Sequence, residues 1–134
     1  MDKKQRSNPV LTILIAEDDG INQFYLKKMF LNHGLNVDTA YNGLEVIEKF
    51  DKGHFDVILM DGQMPEMDGF EAARVIRTKE KKKKTHTPII AITGYAIAGD
   101  KEKFIEAGMD DYITKPIDES QLMTIIRKLT GKRS

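Results

Sequence analysis

Three short apolar runs limit what this chain can fold into: Val10 to Ala16, Phe55 to Met60 and Pro88 to Ile92. Each is close to continuous rather than alternating. A strand with one wet face alternates apolar and polar residues, whereas a strand covered on both faces does not. The runs therefore predict central strands of a sheet sandwiched between helices. Two weaker segments, Val37 to Ala40 and Tyr112 to Thr114, are shorter and more polar, which suits strands at sheet edges.

Helical patterns separate these segments. Ile21, Tyr25, Leu26, Met29 and Phe30 predict one broad apolar face, with Gly34 as the stop. Asn42 with Glu45, and Asp68 with Glu71, each pair an N-cap with its reciprocal partner. Val46, Ile47 and Phe50 follow the first pair; Ala72, Val75 and Ile76 follow the second. Phe104 and Ile105 fall in a helix that Gly108 ends. Asp118 with Gln121 opens the last helix, whose Leu122, Ile125, Ile126 and Leu129 recur at helical spacing. Strict βα alternation predicts an α/β fold with a parallel sheet and helices on both faces. Five strands and five helices in 134 residues suit a flavodoxin-like, doubly wound sheet of order 2-1-3-4-5.

The length suits one domain, expected over residues 10–130, with polar tails at 1–9 and 131–134. Lys+Arg and Asp+Glu both number 21, so net charge gives no general reason to expect nucleic-acid or membrane binding. No apolar stretch approaches the ~20 residues that span a bilayer, and the start lacks a signal-peptide core. A cytoplasmic location is expected. The absence of cysteine excludes disulfides, thiolate metal sites and a cysteine nucleophile. The run Lys79 to Lys84 reads as a solvated helix end and loop.

In the predicted topology, ligands bind beyond the carboxyl ends of the strands, near the switch between the first and third. Polar residues stand at those ends: Glu17-Asp18-Asp19, Asp61, Thr93 and Lys115. Singly, each has an ordinary explanation as a turn, cap or surface residue. Together they bring an acid cluster, a hydroxyl and a cation to one place. Crowded carboxylates raise one another's pKa, and a divalent cation relieves that repulsion. With no thiolate, and no histidine at the strand ends, an all-oxygen site suits Mg²⁺. Asp61 is then a candidate nucleophile toward phosphorus. Lys115 offers a point charge and Thr93 a hydrogen bond to phosphoryl oxygens. Pro116 fixes the loop that leaves the last strand, and a cis Lys115–Pro116 bond is one option.

Four segments carry a resemblance to the receiver domain of two-component response regulators. They are Ile13 to Asp19, Asp56 to Gly69, Pro88 to Thr93 and Asp111 to Pro116, within a resemblance running from Val10 to Leu129. The second contains the specific pattern M-D-x-x-M-P-x-M-D-G. The resemblance implies Asp61 as phosphoacceptor, Asp18 as direct Mg²⁺ ligand and Glu17 as the holder of metal-bound water. It implies that Gln63 lends its backbone carbonyl to the metal, and that Thr93 and Lys115 bind the phosphoryl oxygens. Tyr112 matches the aromatic that turns inward when Thr93 moves. Gln63 and Tyr95 match positions that tune the lifetime of the phosphate, and a bulky Tyr95 suggests slow decay. Glu17 stands where the family often has Asp.

The implied partner is a histidine kinase or a histidine phosphotransfer protein. An output domain or a second copy would meet the fourth helix, fifth strand and fifth helix. The implied role is a signalling domain rather than an enzyme, either stand-alone or a segment of a hybrid histidine kinase. Three rivals share some of these features. A flavin carrier would want a Ser/Thr/Gly-rich loop where Glu17-Asp18-Asp19 stand. A haloacid-dehalogenase-like phosphatase would want Asp where Gln63 stands. A degenerate receiver would lack the acceptor, threonine or lysine.

Overall fold

The computed structural model describes residues 10–94 and 100–131. The expected N-terminal tail, and residues 132–134 of the C-terminal one, lie outside the described residues. The elements alternate as the apolar runs predict: β1 (Thr12–Ala16), α1 (Gly20–Asn32), β2 (Asn36–Ala40), α2 (Gly43–Lys52), β3 (Val57–Asp61), α3 (Gly69–Lys83), β4 (Ile89–Thr93), α4 (Asp100–Ala107), β5 (Asp111–Thr114) and α5 (Glu119–Thr130). The strands form one sheet in the order β2-β1-β3-β4-β5, every pair parallel.

Side chains alternate across the pleat, so each central strand feeds two cores. Leu14, Ile58, Met60 and Ile89 point to the face covered by α2, α3 and α4, where Val46, Phe50, Ile76 and Phe104 meet them. Ile13, Ile15, Leu59, Ile90 and Ile92 point to the other face, against Leu26, Phe30, Leu122 and Ile126 of α1 and α5. This double covering is why the runs are continuous. Asp61 and Thr93 are the last residues of their strands rather than the first beyond them.

The helix starts follow the capping chemistry. Asp68 and Glu71 form the full reciprocal box. Asn42 caps the Glu45 N–H, but the Glu45 carboxylate reaches back to the Tyr41 N–H instead of the cap's own. Asp118 caps Gln121. Gly34 and Gly108 follow α1 and α4 with positive φ, the conformation that lets a helix stop without a Cβ clash. Gly131 does the same after α5.

The inner face of α1 differs from expectation. Leu26, Met29 and Phe30 are buried, but Ile21 is 81% exposed and Tyr25 is also exposed. Gln23 takes the inner position instead, because it lies three residues before Leu26 and seven before Phe30. Its amide is satisfied there by the carbonyls of Glu17 and Ala40, at 3.0 and 3.1 Å.

The lysine run is solvated as expected, with one exception inside it. Glu80 is only 2% exposed. Its carboxylate accepts from Arg77 Nη1 at 2.6 Å and from the Thr87 N–H at 2.7 Å. Arg77 also donates to the carbonyls of Gly108 and Thr87 and to Asp110, whose Oδ2 accepts the Ile89 N–H. This clasp joins α3 to both connections at the amino end of β4. Removing Glu80 leaves the mostly buried Arg77 with Asp110 as its one carboxylate and takes the acceptor from the Thr87 N–H. Glu80→Ala should therefore cost about 3 kcal/mol, read as a lower urea midpoint at unchanged slope. A loss below about 1 kcal/mol would show that the clasp is no more than a surface pair.

Candidate functional site

Strand register decides which residues meet. Ala16 pairs with Met60, so the residues that follow them, Glu17 just beyond β1 and Asp61 at the end of β3, come side by side at the carboxyl edge. Asp61 pairs with Ile92, and Thr93 with Thr114, which places Thr93 one strand and Lys115 two strands further along. The Glu17 N–H is held by the Ala40 carbonyl at 3.0 Å. The Glu17 carbonyl is held by Gln23. This one residue is thus tied on both sides of its backbone.

The acid triplet divides its work. Asp19 turns away and caps α1, its Oδ1 accepting the N–H groups of Ile21 and Asn22. The carboxylates of Glu17, Asp18 and Asp61 converge, with one oxygen of each within 4.8 Å of the others. Glu17 is 1% exposed. Its Oε2 accepts the Asp19 N–H at 3.1 Å, while its Oε1 is buried without a hydrogen-bond partner. Lys115 Nζ lies 3.8 Å from that oxygen and 3.7 Å from Asp61 Oδ2. The Asp61 Oδ1 accepts the Gln63 N–H at 3.0 Å.

Burial pushes the Glu17 carboxyl up to about 7. The Asp19 N–H and Lys115 work against that rise, and the Asp61 charge adds to it. An orphaned, buried carboxylate oxygen beside two further carboxylates is a donor set for a hard cation. The geometry therefore fits the Mg²⁺ expectation. Glu17 and Asp18 of the triplet supply it and Asp19 does not.

These groups open into a cleft of 460 Å³, which Gln63, Thr93, Phe70, Phe104 and Lys103 also line. A Cβ at Gly69 would lie 2.3 Å from the Asp61 carbonyl oxygen, so α3 begins directly against the end of β3. Tyr112 is not a lining residue; its ring stacks on Phe104, with centroids 5.3 Å apart. Tyr95 lies outside the described residues. The Lys115–Pro116 bond is cis. Gln23, Phe70 and Lys103 were not singled out from sequence. Gln23 had one available signal, a polar side chain at the spacing of two core residues.

A family model described as the response regulator receiver domain matches residues 13–127. The hybrid signal transduction histidine kinase I of Dictyostelium discoideum is 40% identical over 119 residues, covering 85% of this chain and 7% of that protein. Among solved structures, the receiver domain of a sensor histidine kinase from Pseudomonas aeruginosa PAO1 superposes with a TM-score of 0.83 and 34% identity. That match covers 92% of this chain and all of the other, which was solved with magnesium ion coordinated in the active site cleft. The receiver domain of Ssk1 from Saccharomyces cerevisiae, solved with the histidine phosphotransfer protein Ypd1, gives 0.84 and 33%, covering 92% of this chain and 90% of that one. The chain belongs to the response regulator receiver domain family. It is homologous to receivers of hybrid histidine kinases, and it spans a small part of the curated relative's length. Among the described residues no helix is long and apolar enough to cross a membrane.

An acid whose pKa rises on folding favours the folded state only while protonated. The contribution of Glu17 is full below its ordinary 4.5 and is lost as pH climbs through about 7. Without divalent cation, stability should therefore fall across that interval, and Glu17→Gln should flatten the fall. Urea midpoints in EDTA at about pH 5 and about pH 8 measure it. An equal drop in the variant would remove Glu17 as the cause.

Proposed function

We propose that Asp61 is the phosphoacceptor of this receiver. It would take a phosphoryl group from a phosphohistidine on a histidine kinase or histidine phosphotransfer protein. The observation that carries the reading is the convergence of the Glu17, Asp18 and Asp61 carboxylates with Lys115 Nζ 3.7 Å from Asp61. The carboxylate attacks phosphorus, the P–O bond forms as the P–N bond to imidazole breaks, and the leaving imidazole keeps the electron pair. Catalysis of such a transfer is mainly positioning and charge stabilisation. The Gln63 N–H fixes one Asp61 oxygen and leaves the other facing Lys115.

Mg²⁺ would be held by Asp18, Asp61 and the Gln63 carbonyl, with Glu17 reaching it through water. When bound, it neutralises the carboxylate cluster and the phosphoryl oxygens. Lys115 and the Thr93 hydroxyl then hold the product. The phosphoryl charge draws Thr93 toward it, and Tyr112 follows. The α4, β5 and α5 face then changes its preference for an output domain or a second copy. This is a local electrostatic change that biases a two-state element. The domain assists its own phosphorylation and dephosphorylation and turns over no separate substrate.

The exposed Ile21, Phe24 and Tyr25 on α1 support a docked protein donor. They flank Asn22, which lines the cleft, so a partner seated there could present a histidine to Asp61. Exposed rings beside a cleft are the usual anchors of a protein interface. The hybrid-kinase relatives favour a chain that works as a receiver segment of a longer kinase in the cytoplasm.

Asp61→Asn should abolish labelling by acetyl phosphate with Mg²⁺, followed by intact mass. Stoichiometric labelling of the variant would sink the assignment. Gln63 and Tyr95 are proposed to set the phosphate lifetime, with Tyr95 shielding it from water. Tyr95→Ala should speed decay of the aspartyl phosphate. A wild-type lifetime of seconds, or a variant no faster than wild type, would defeat that role.

A further inference from the structure

Gln23 is 6% exposed, and it is the only polar residue among those that α1 buries. Its amide nitrogen donates to the Glu17 carbonyl at 3.0 Å and to the Ala40 carbonyl at 3.1 Å. A side-chain amide has two hydrogens to give, so both are spent here. The Ala40 carbonyl also accepts the Glu17 N–H. Among the described residues, the Glu17 carbonyl has no donor other than Gln23. The acceptor that depends on Gln23 alone thus belongs to the peptide joining Glu17 to Asp18. We propose that Gln23 is a positioning residue for the cation site: by holding that peptide it aims Asp18, and so sets the affinity of the carboxylate cluster for Mg²⁺. The inference rests on the reading that Asp18 and Asp61 hold the ion.

A peptide unit is planar, so fixing its oxygen also fixes the N–H and Cα of the residue that follows. Asp18 needs such a support. It is exposed, and among the described residues it makes no hydrogen bond and no ion pair of its own. Yet one of its carboxylate oxygens lies within 4.8 Å of those of Glu17 and Asp61. Those like charges push an unanchored Asp18 out toward water. Its backbone keeps it in place from both sides. On the far side, Asp19 is pinned by capping α1 and by the Glu17 carboxylate. On the near side stands the Gln23 bond. Gln23 is itself immobile, because Leu26 and Phe30 on the same face of α1 pack into the core beside Ile13 and Ile15. The packing of α1 is in this way carried to a ligand that α1 does not touch. Groups that orient metal ligands without binding the metal change affinity by about tenfold to a hundredfold. Mg²⁺ registers such a change most sharply, since it requires near-octahedral ligands at short distance, whereas Ca²⁺ accepts irregular ones.

The test uses Gln23→Met, which keeps the length of the side chain and removes the donor. Mg²⁺ and Ca²⁺ are titrated separately, followed by amide NMR shifts, beside urea midpoints. Gln23→Met should bind Mg²⁺ about tenfold more weakly than wild type and Ca²⁺ within about threefold of it. Ile126→Val, a core change on α5, is the control for lost stability: its urea midpoint should fall while both affinities stay at the wild-type value. If methionine does not fold, Gln23→Asn, whose amide is one methylene short of both carbonyls, carries the same comparison. Equal loss of both ions in the Gln23 variant would overturn the proposal, because it would mark a general loosening rather than a misplaced ligand. Wild-type Mg²⁺ affinity in that variant, with Asp18→Asn weakened, would overturn the proposal and leave the metal reading standing. Wild-type affinity in Asp18→Asn would overturn the metal reading itself, and the proposal with it.

Discussion

Like charge brought together on purpose is the constraint from which the rest of this structure follows. The parallel register of β1 and β3 sets Glu17 beside Asp61, and neither strand can slip without turning its buried residues to the wrong face. The apolar sheet therefore enforces a carboxylate contact that the acids alone would avoid. Local devices contain the repulsion without removing it. The Asp19 N–H holds one Glu17 oxygen, Gln23 and Ala40 hold its backbone, and Lys115 stands between Glu17 and Asp61. One oxygen is still left without a partner. What remains is a stored demand for positive charge, which a bound divalent cation would meet.

The division of labour around the cleft follows from which strand each group ends. The central strands are buried on both faces, so the backbone that carries their last residues is firmly held. Asp61 is of this kind. Lys115 leaves the edge strand β5, is partly exposed, and carries a long flexible stem. A rigid carboxylate beside a compliant cation suits the proposed acceptor role, in which one site holds first a carboxylate and then its bulkier phosphorylated form.

The elements whose signal is written in consecutive residues were legible in the sequence. The three apolar runs marked the central strands, weak segments marked the edges, and Asp68 with Glu71 marked the start of α3. The strand-end acids, Thr93 and Lys115 were legible for the same reason, since the topology converts strand ends into neighbours. What escaped were choices made by tertiary contacts. Ile21 and Tyr25 look like core on a helical wheel, but the face that meets the sheet is set by where α1 leaves β1. Gln23 is polar yet inside, because two strand-end carbonyls need a donor. Glu80 sits in a lysine-rich run, and only the fold brings Arg77 and Thr87 to it. Asp19 looked like a member of the acid cluster until its capping bonds took it out.

The Arg77 clasp has a mechanical meaning. It grips the segment that enters β4, with Thr87 and Ile89 both held by its carboxylates. Thr93 stands at the opposite tip of the same five-residue strand, in the cleft. β4 is thus built like a cantilever, clamped at the root and loaded at the tip. A load at Thr93 finds no relief by sliding the strand along its neighbours. It is shared sideways with β5, where Thr93 pairs with Thr114.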